Sequence, residues 1–496
     1  MDSKPRYTNR KLISKLHEMP PSLPTSITGV KTAIPAFIGY TEKQMKDGLS
    51  LFNKPTLISA IAEYETIFGR SRSADIHIHL HDDNSLNGEI VVSQPTFRLY
   101  YALQLYFANG GGSCYIISAG TFQTAGASPT TRLAQMQQSL NAAGELDEIT
   151  LLVFSDAPLL INHSLANPVT PIDLIERTNL YHQLFKDSLV LCETLRDRFV
   201  ILDVWQPFNS APSDTAKYIT AFRESIGADH LSYGAAYYPW LRTTIPSYIN
   251  EKEVSALNIV GGTGLLKRLV LRKEDSAPNL SNSLFHINRN LYDEVKKAIL
   301  KNTVVLPPAA AVAGIYSTVD TAQGVWKAPA NISLKLVKEP MALISDTEQQ
   351  QMNVDVTNGK SVNAVRSFPG KGVLVWGART LAGNDNDWRY VPVRRFFIMV
   401  EESIKKGTEP FVFQPNDANT WAKVKVLVES YILQQWRVGA LQGTAPQQAF
   451  YVKCGLGQTM TGEDIANGRL TIEIGMAVGR PAEFVILRIT HKMKAY

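Results

Sequence analysis

The feature that most constrains the fold is an alternation of strand-like and helix-like segments in the middle of the chain. Short apolar runs at 149–154, 199–204 and 231–238 are typical of buried strands. Between them lie longer segments, 179–198 and 213–226, with the length and patterning of helices. Strands that alternate with helices in this way indicate βαβ units, because parallel strands need a long crossover connection. We therefore predict an α/β body whose sheet is at least partly parallel.

The C-terminal part has a different pattern, which predicts an α+β domain. Helices are expected at 392–406 and 417–438, each followed by a glycine. Strands are expected at 469–478 and 483–493, and in the former apolar residues alternate with polar ones, so one face of the sheet is buried. Upstream of the alternating segments, a helix is predicted over 93–108, with Ser93 as its cap.

These patterns divide the 496 residues into three parts. Residues 1–28 are basic and then proline-rich, and we interpret them as an extended arm. An α/β body follows at 29–365, with insertions near 70–90 and 242–290. A C-terminal domain at 366–496 ends in a strand. Both ends of the chain carry an excess of Lys and Arg, which suits termini that meet an acidic surface or, equally, solvated tails.

Composition excludes several classes of protein. Apolar residues make up 45%, which is too many for a largely disordered chain, yet no apolar run reaches the ~18 residues of a membrane-spanning helix. The N-terminus lacks the apolar core of a signal peptide. Three separated cysteines argue against a disulfide scaffold. A net charge of +5 is too small to indicate nucleic-acid binding.

Candidate catalytic and metal-binding motifs are weak. His77, His79 and His81 would share one face of a strand and could hold a metal, although a solvent-facing strand is the simpler interpretation. The glycine-rich segments at 261–267 and 359–361 lack phosphate-loop spacing. Cys192 lies on a helix beside leucines, as a buried structural thiol would. We therefore predict no catalytic residue, no cofactor and no bound metal.

A dense run of aromatic residues and arginines between 368 and 396 is the most informative local feature. Trp, Tyr and Arg anchor protein interfaces, and the same residues could instead form an aromatic core with arginines bridging carbonyl groups. The two interpretations are compatible.

Several segments resemble the sheath proteins of contractile phage tails and contractile injection systems. The resemblance rests on 307–331, GVLVWGART at 372–380, WRYV at 388–391, FQPN at 413–416 and AFYVKC at 449–454. Weaker similarity, as in TAIPAFIG at 32–39, extends it over roughly residues 20–496.

The resemblance implies a structural subunit that polymerises helically around an inner tube and contracts to drive the tube through a target envelope. It also implies that the arm at 1–28 donates a strand to a neighbouring subunit. The α/β body at 29–365 would then be the outer part of the sleeve, and 366–496 its inner domain, which ends in a mesh-forming strand. Its expected partners are further copies of the chain, with or without paralogous sheath subunits, the inner tube protein, and baseplate and terminator or cap proteins. Neither nucleic acid nor direct membrane insertion is expected. Assembly would take place in the bacterial cytoplasm, as part of a phage tail, a released tail-like particle or an anchored injection system.

Physical reasoning on the last strand supplies a means of linking subunits. Its edge has backbone groups that need partners, and an extended arm from a neighbouring copy could pair with it. We expect these residues at the subunit and tube interface: Trp376, Arg379, Trp388, Arg389, Arg394, Arg395, Trp421, Phe484, Ile486 and Arg488. Reversing the charge of Arg395 should then disturb assembly with little loss of subunit stability. The alternatives are a static capsid-like or tube-like protein and a metal-dependent α/β enzyme.

Overall fold

The computed structural model describes residues 23–82, 85–126, 128–162, 170–208, 210–211, 214–252, 257–261, 269–274, 276–277, 280–357, 359–480 and 482–494. Most of the predicted arm, residues 1–22, is outside the described residues. The chain divides into two compact units. Unit 1 comprises the described residues up to Thr28 together with those from Ser403 onward, and unit 2 comprises Gly29–Glu402.

The strands are β1 (Pro35–Thr41), β2 (Met45–Lys46), β3 (Leu49–Ser50), β4 (Thr56–Ile58), β5 (Ile76–Leu80), β6 (Val91–Val92), β7 (Cys114–Thr121), β8 (Leu151–Phe154), β9 (Phe199–Asp203), β10 (Gly234–Tyr238), β11 (Leu241–Pro246), β12 (Leu257–Gly261), β13 (Thr303–Leu306), β14 (Ile332–Ser333), β15 (Val337–Pro340), β16 (Val362–Phe368), β17 (Gly372–Trp376), β18 (Phe450–Lys453), β19 (Arg469–Met476) and β20 (Val485–Lys492). The helices are α1 (Ile61–Phe68), α2 (Leu99–Ala108), α3 (Pro129–Gly144), α4 (Pro171–Arg177), α5 (Asn179–Leu195), α6 (Thr215–Ser225), α7 (Leu284–Ile287), α8 (Arg289–Lys301), α9 (Ala309–Ala322), α10 (Asp346–Asn353), α11 (Val391–Thr408), α12 (Ala418–Arg437), α13 (Pro446–Ala449) and α14 (Gly462–Ala466).

Unit 2 is built on a mixed sheet with the strand order β14-β17-β16-β10-β9-β8-β1-β7-β4 among the described residues. The strands from β7 to β16 in this order pair in parallel, and antiparallel strands flank them on both sides. Every residue of β1 and of β8 is buried, which explains their unbroken apolar runs. The prediction of an α/β body with a partly parallel sheet is confirmed.

Close helix packing beside this sheet depends on one glycine. α2 and α9 pack against each other, and a Cβ atom at Gly314 would lie 2.6 Å from the carbonyl oxygen of Tyr106. Any larger residue would push α9 away from α2, because the obstructing atom belongs to the backbone.

The helix predicted over 93–108 begins six residues later than expected, at Leu99. Ser93 does not cap it, because its backbone N–H donates to the Asp75 carbonyl at 2.8 Å and its Oγ accepts from the Asp75 N–H at 2.9 Å. The carboxylate of Asp156 accepts from the Arg98 N–H instead, at the true start of the helix.

The two predicted insertions form one small substructure with its own core. β12, β5 and β6 make a sheet, and α8 supplies a buried face that includes Leu291, Val295 and Ile299. Residues more than 150 positions apart in sequence, such as Ile78 and Ile259, are direct strand partners.

Unit 1 contains the antiparallel sheet β18-β19-β20 and the long helix α12. The predicted apolar face of α12 is buried at Val424, Val428, Tyr431 and Ile432. Ile27, at the end of the arm, is also buried and lies against Gly407 of α11.

The division between the units lies within α11, at residues 402 and 403, rather than at 365 and 366. β16 and β17 form an antiparallel hairpin that extends the main sheet, and therefore residues 366–402 belong to unit 2. None of the helices in the described part of the chain combines the length and the apolar character needed to cross a membrane.

Candidate functional site

The last strand, β20, lies at the edge of its sheet. It pairs with β19 over eight residues, from Val485 opposite Met476 to Lys492 opposite Arg469. β18 pairs with the other side of β19, so within the described residues the outer edge of β20 carries no neighbouring strand. Edge strands of this length are templates for pairing with another chain.

The two faces of β20 differ in exposure. Leu487 and Ile489 are buried in unit 1, whereas Ile486, Arg488 and Thr490 are exposed. On the exposed face an ion pair joins β20 to β19. Arg488 donates through Nε and Nη2 to Oε2 of Glu473 at 3.0 and 2.8 Å. This contact lowers the pKa of the Glu473 carboxyl.

Two aromatic residues predicted to lie at the interface, Phe484 and Trp421, belong to the same unit as this sheet. Phe484 packs edge-on against Tyr451 with ring centres 5.2 Å apart. Trp421, half-buried on α12, donates through Nε1 to Oδ1 of Asn416 at 2.7 Å. Like Ile486 and Arg488, they remain interface predictions.

Four predicted residues of the aromatic and arginine run are partly exposed in unit 2. Trp376 packs on Phe368 with ring centres 4.5 Å apart. Arg379 and Arg389 both lie within 6 Å of the Tyr390 ring centre, and Trp388 contacts Phe397 edge-on. Each makes contacts within its own subunit, and its role at an interface remains a prediction.

Arg394 and Arg395 differ from the prediction, because both are buried inside unit 2. The guanidinium of Arg394 lies 3.8 Å from the Tyr233 ring centre and 4.5 Å from that of Trp388. Burial lowers its pKa to about 10. α11 directs these side chains inward because Phe396, Phe397 and Val400 on the same helix are also buried.

Arg395 forms an internal ion pair that sequence reasoning missed. Its Nη1 and Nη2 donate to the two carboxylate oxygens of Asp320 at 2.9 and 2.5 Å, and Nη2 also donates to the Thr32 carbonyl at 2.9 Å. The Thr32 hydroxyl donates to Asp320 at 2.5 Å, and the Tyr316 ring covers the guanidinium. The group fastens the start of the body, just after the arm, to α9 and α11.

The carboxyl ends of the parallel strands are where α/β sheets of this type usually hold a ligand. β1 has β7 on one side and β8 on the other, which is a switch in strand order. Asp156, which follows β8, fills this position and accepts from the backbone N–H groups of Tyr40 and Arg98 at 2.8 and 2.5 Å. A Cβ atom at Gly39 would lie 2.6 Å from the same carboxylate.

Arg98 fills the neighbouring space. Its buried guanidinium lies between the Phe208 and Trp240 rings, 5.4 and 5.6 Å from their centres. Burial lowers the pKa of Arg98 to about 10 and raises that of Asp156 to about 6. Side chains of the protein itself therefore occupy the usual ligand position of the fold. Asp156 was not among the residues predicted from the sequence, and the signal that could have found it is an acid two residues after a buried strand.

The histidine strand lies in the small substructure. His77 and His79 alternate with buried isoleucines on β5 and are exposed, as predicted for one face of a strand. Among the described residues, no group of three or more His, Cys, Asp or Glu side chains is arranged to hold a metal ion. Cys192 is buried, and burial raises the pKa of its thiol.

Comparison with known proteins identifies the C-terminal region first. Residues 383–492 match the family model of the phage tail sheath C-terminal domain. The tail sheath protein of Enterobacteria phage T4 is 24% identical over 136 residues, which are 27% of this chain and 20% of that protein. The chain therefore matches about a fifth of the length of this relative.

Two solved structures match over nearly the full chain. The sheath of an extracellular contractile injection system, the PVC sheath complex in its contracted state, shares 25% identity with a TM-score of 0.57, covering 99% of this chain and 98% of that one. The contracted helical sheath of the anti-feeding prophage shares 26% identity with a TM-score of 0.58, covering 99% and 100%. The chain is therefore similar to tail sheath proteins in the sequence of its C-terminal region, and to the sheaths of contractile injection systems in fold over nearly its full length.

Proposed function

We propose that this protein is the structural subunit of a contractile sheath. Many copies polymerise helically around an inner tube, and contraction of the sleeve drives the tube through a target envelope. The observation that carries the proposal is the fold match to contracted sheaths over 99% of the chain. Its partners are further copies of itself, the inner tube, and the baseplate and cap proteins that close the sleeve. Assembly takes place in the bacterial cytoplasm.

Neighbouring subunits are linked through the edge of β20. The arm, residues 1–28, of one copy adds a strand to this edge in another copy, as extended segments do in β-augmentation. The free edge of β20 supports this assignment. Strand links of this kind let subunits rotate as rigid bodies while the polymer stays connected.

The contraction stroke needs no nucleotide. The switch position of the α/β sheet is filled by Asp156 and Arg98, which supports an energy source other than a ligand at that position. Contacts that are larger or better packed in the contracted lattice would supply the free energy, and assembly on the tube and baseplate would hold the extended lattice kinetically.

Deletion of residues 1–22 tests two proposals: that the chain forms a contractile sleeve, and that the arm links neighbouring subunits. The full chain, produced with its inner tube and baseplate, should form sleeves with two helical pitches in electron micrographs, one extended and one contracted. The truncated chain should remain folded, because no contact among the described residues is removed, but should form no sleeves.

A chain whose first 22 residues are replaced by an equally long Gly/Ser segment is the matched control for length, and it should also fail to polymerise. A single pitch in every sleeve of the full chain would indicate a static tube. Ordinary sleeves from the truncated chain would refute the role of the arm.

A further inference from the structure

Unit 2 exposes two apolar patches that its own fold does not cover. The hairpin patch consists of Met45, Leu49, Phe52 and Leu57, at and beside the β2–β3 hairpin. The valine-loop patch consists of Leu343, Val354 and Val356, on either side of α10. Leu49 is 67% exposed and Val356 is 92% exposed. Grouped apolar side chains with such exposure mark interaction sites.

The hairpin patch is held in shape by backbone contacts. Asp47 and Gly48 adopt φ values of 52° and 79°, which suit the tight turn that connects β2 and β3. Beyond β3, the Asn53 N–H donates to the Ser118 carbonyl of β7 at 3.0 Å. The patch is therefore anchored to the main sheet near its β4 edge.

The valine-loop patch is also rigid. Asp355, buried between the two exposed valines, accepts from the backbone N–H groups of Thr357 and Lys360 at 3.1 and 3.3 Å. Its carboxylate lies 3.4 Å from Nε of Arg223. The buried acid holds the loop so that Val354 and Val356 project outward. A preorganised loop loses little conformational entropy on binding.

The patches lie at opposite corners of the sheet. The hairpin follows the carboxyl end of β1, whereas the valine loop precedes the amino end of β16. Six strand positions separate β16 from β4, which corresponds to about 29 Å at the usual ~4.8 Å strand spacing. At this separation the two patches cannot be covered by the same small group of side chains, so each needs its own partner surface.

Their charges are complementary. Residues 43–54 contain Lys43, Lys46 and Lys54 against Asp47. Residues 343–357 and the adjoining loop at 384–387 contain five acidic residues and no Lys or Arg. The side chain of Asn384 donates to the Asp355 carbonyl at 3.2 Å and so joins the two acidic segments. Within the subunit, Arg366 pairs with Asp346 and Arg223 with Asp355. The negative charge that would face the lysines is therefore that of Glu348, Asp385 and Asp387.

We propose that the hairpin patch of one subunit docks on the valine-loop patch of another copy of the same chain. A contact between two different patches of one molecule is heterologous and, where the rotation does not close a ring, repeats along an open helix. This inference rests on the proposed sleeve and adds a second connection, through the α/β body, to the strand link at β20.

A cysteine pair tests the contact in the full chain. The native cysteines, Cys114, Cys192 and Cys454, are buried, so Leu49→Cys and Val356→Cys introduce the reactive thiols. Under mild oxidation the double variant should give a ladder of cross-linked oligomers on a non-reducing gel. Each single variant should remain monomeric. Pairing Leu49→Cys with Val91→Cys, an exposed position on the small substructure, should give no ladder.

The outcomes separate this inference from the sleeve itself. If sleeves form but no cross-linked ladder appears, the patch contact is overturned and the sleeve proposal stands. If a cross-linked ladder appears but no sleeves form, the sleeve proposal is overturned and the patch contact stands. The absence of both would overturn both. Dimers from a single variant, or a ladder from the Val91→Cys control pair, would also refute the contact. Replacing Lys46 and Lys54 by Glu should slow ladder formation several-fold.

Discussion

Arg395 is tied to the stability of the subunit by its burial. Its partner Asp320 has a side chain that is 6% exposed, and that of Arg395 is 3% exposed. Removal of one member of a buried ion pair leaves an uncompensated charge and costs roughly 3–5 kcal/mol. Arg395→Leu should therefore lower the free energy of unfolding by about that amount, measured by urea denaturation of the monomer.

Arg389 offers a matched control for this substitution. Its guanidinium is partly exposed and donates within its own turn, to the Asp385 carbonyl and to the Asn386 side chain. Arg389→Leu should change stability by no more than about 1 kcal/mol. An Arg395→Leu protein as stable as Arg389→Leu would show that the Asp320 pair contributes little.

His182 makes the stability of unit 2 sensitive to acid. Its ring is buried between Tyr181 and Phe222, and neither ring nitrogen has a hydrogen-bond partner among the described residues. Burial, with a smaller effect from Lys186, lowers its pKa to about 3. A pKa below the unfolded value of about 6.5 means that stability is lost as the pH falls from 6.5 towards 3.

Comparison with His182→Leu isolates this effect. Asp156 and Asp203 have pKa values raised to about 6 and about 8 by burial, so they favour the folded state as the pH falls. Their contribution is common to both proteins and cancels in the difference. Between pH 7 and pH 4 the native protein should lose about 3 kcal/mol relative to the variant. If the free energy of unfolding changes equally with pH in the native protein and in His182→Leu, buried neutral His182 is not the source of the acid sensitivity.

At the scale of elements, α12 has one buried side and one exposed side. Val424 is fully buried, whereas Val426, two residues on, is 65% exposed. If the outer side faces the inner tube, Val426→Asp should reduce co-sedimentation with tubes several-fold without changing the melting temperature. Val424→Asp is the control for position and should unfold unit 1, because it buries an unpaired charge. Tube binding unchanged by Val426→Asp would exclude this side of α12.

At the scale of the whole molecule, the described residues present three sets of surface features on which the proposed assembly would rest. The edge of β20 offers backbone groups, α12 offers an exposed stripe, and the two patches of unit 2 offer apolar side chains with complementary charge. Any one exposed contact is weak, but a helical lattice repeats it in every subunit. Sleeve stability should therefore fall with rising salt far more than the stability of the monomer does.

The sequence by itself determined the periodic elements and revealed the resemblance to sheath proteins. The alternation in the central region predicted β8, β9 and β10, and strict two-residue alternation predicted the buried face of β19. Such patterns are local, because a strand or helix shows its burial through the spacing of its own side chains.

Only the tertiary structure decided which charged residues turn inward. Arg394 and Arg395 belong to the same sequence run as the partly exposed Trp388 and Arg389. Their partners Tyr233 and Asp320 nevertheless come from distant segments. The start of α2 likewise depends on Asp156, 58 residues from Arg98. Contacts of this kind leave no periodic trace in the sequence, because they arise where separate elements meet.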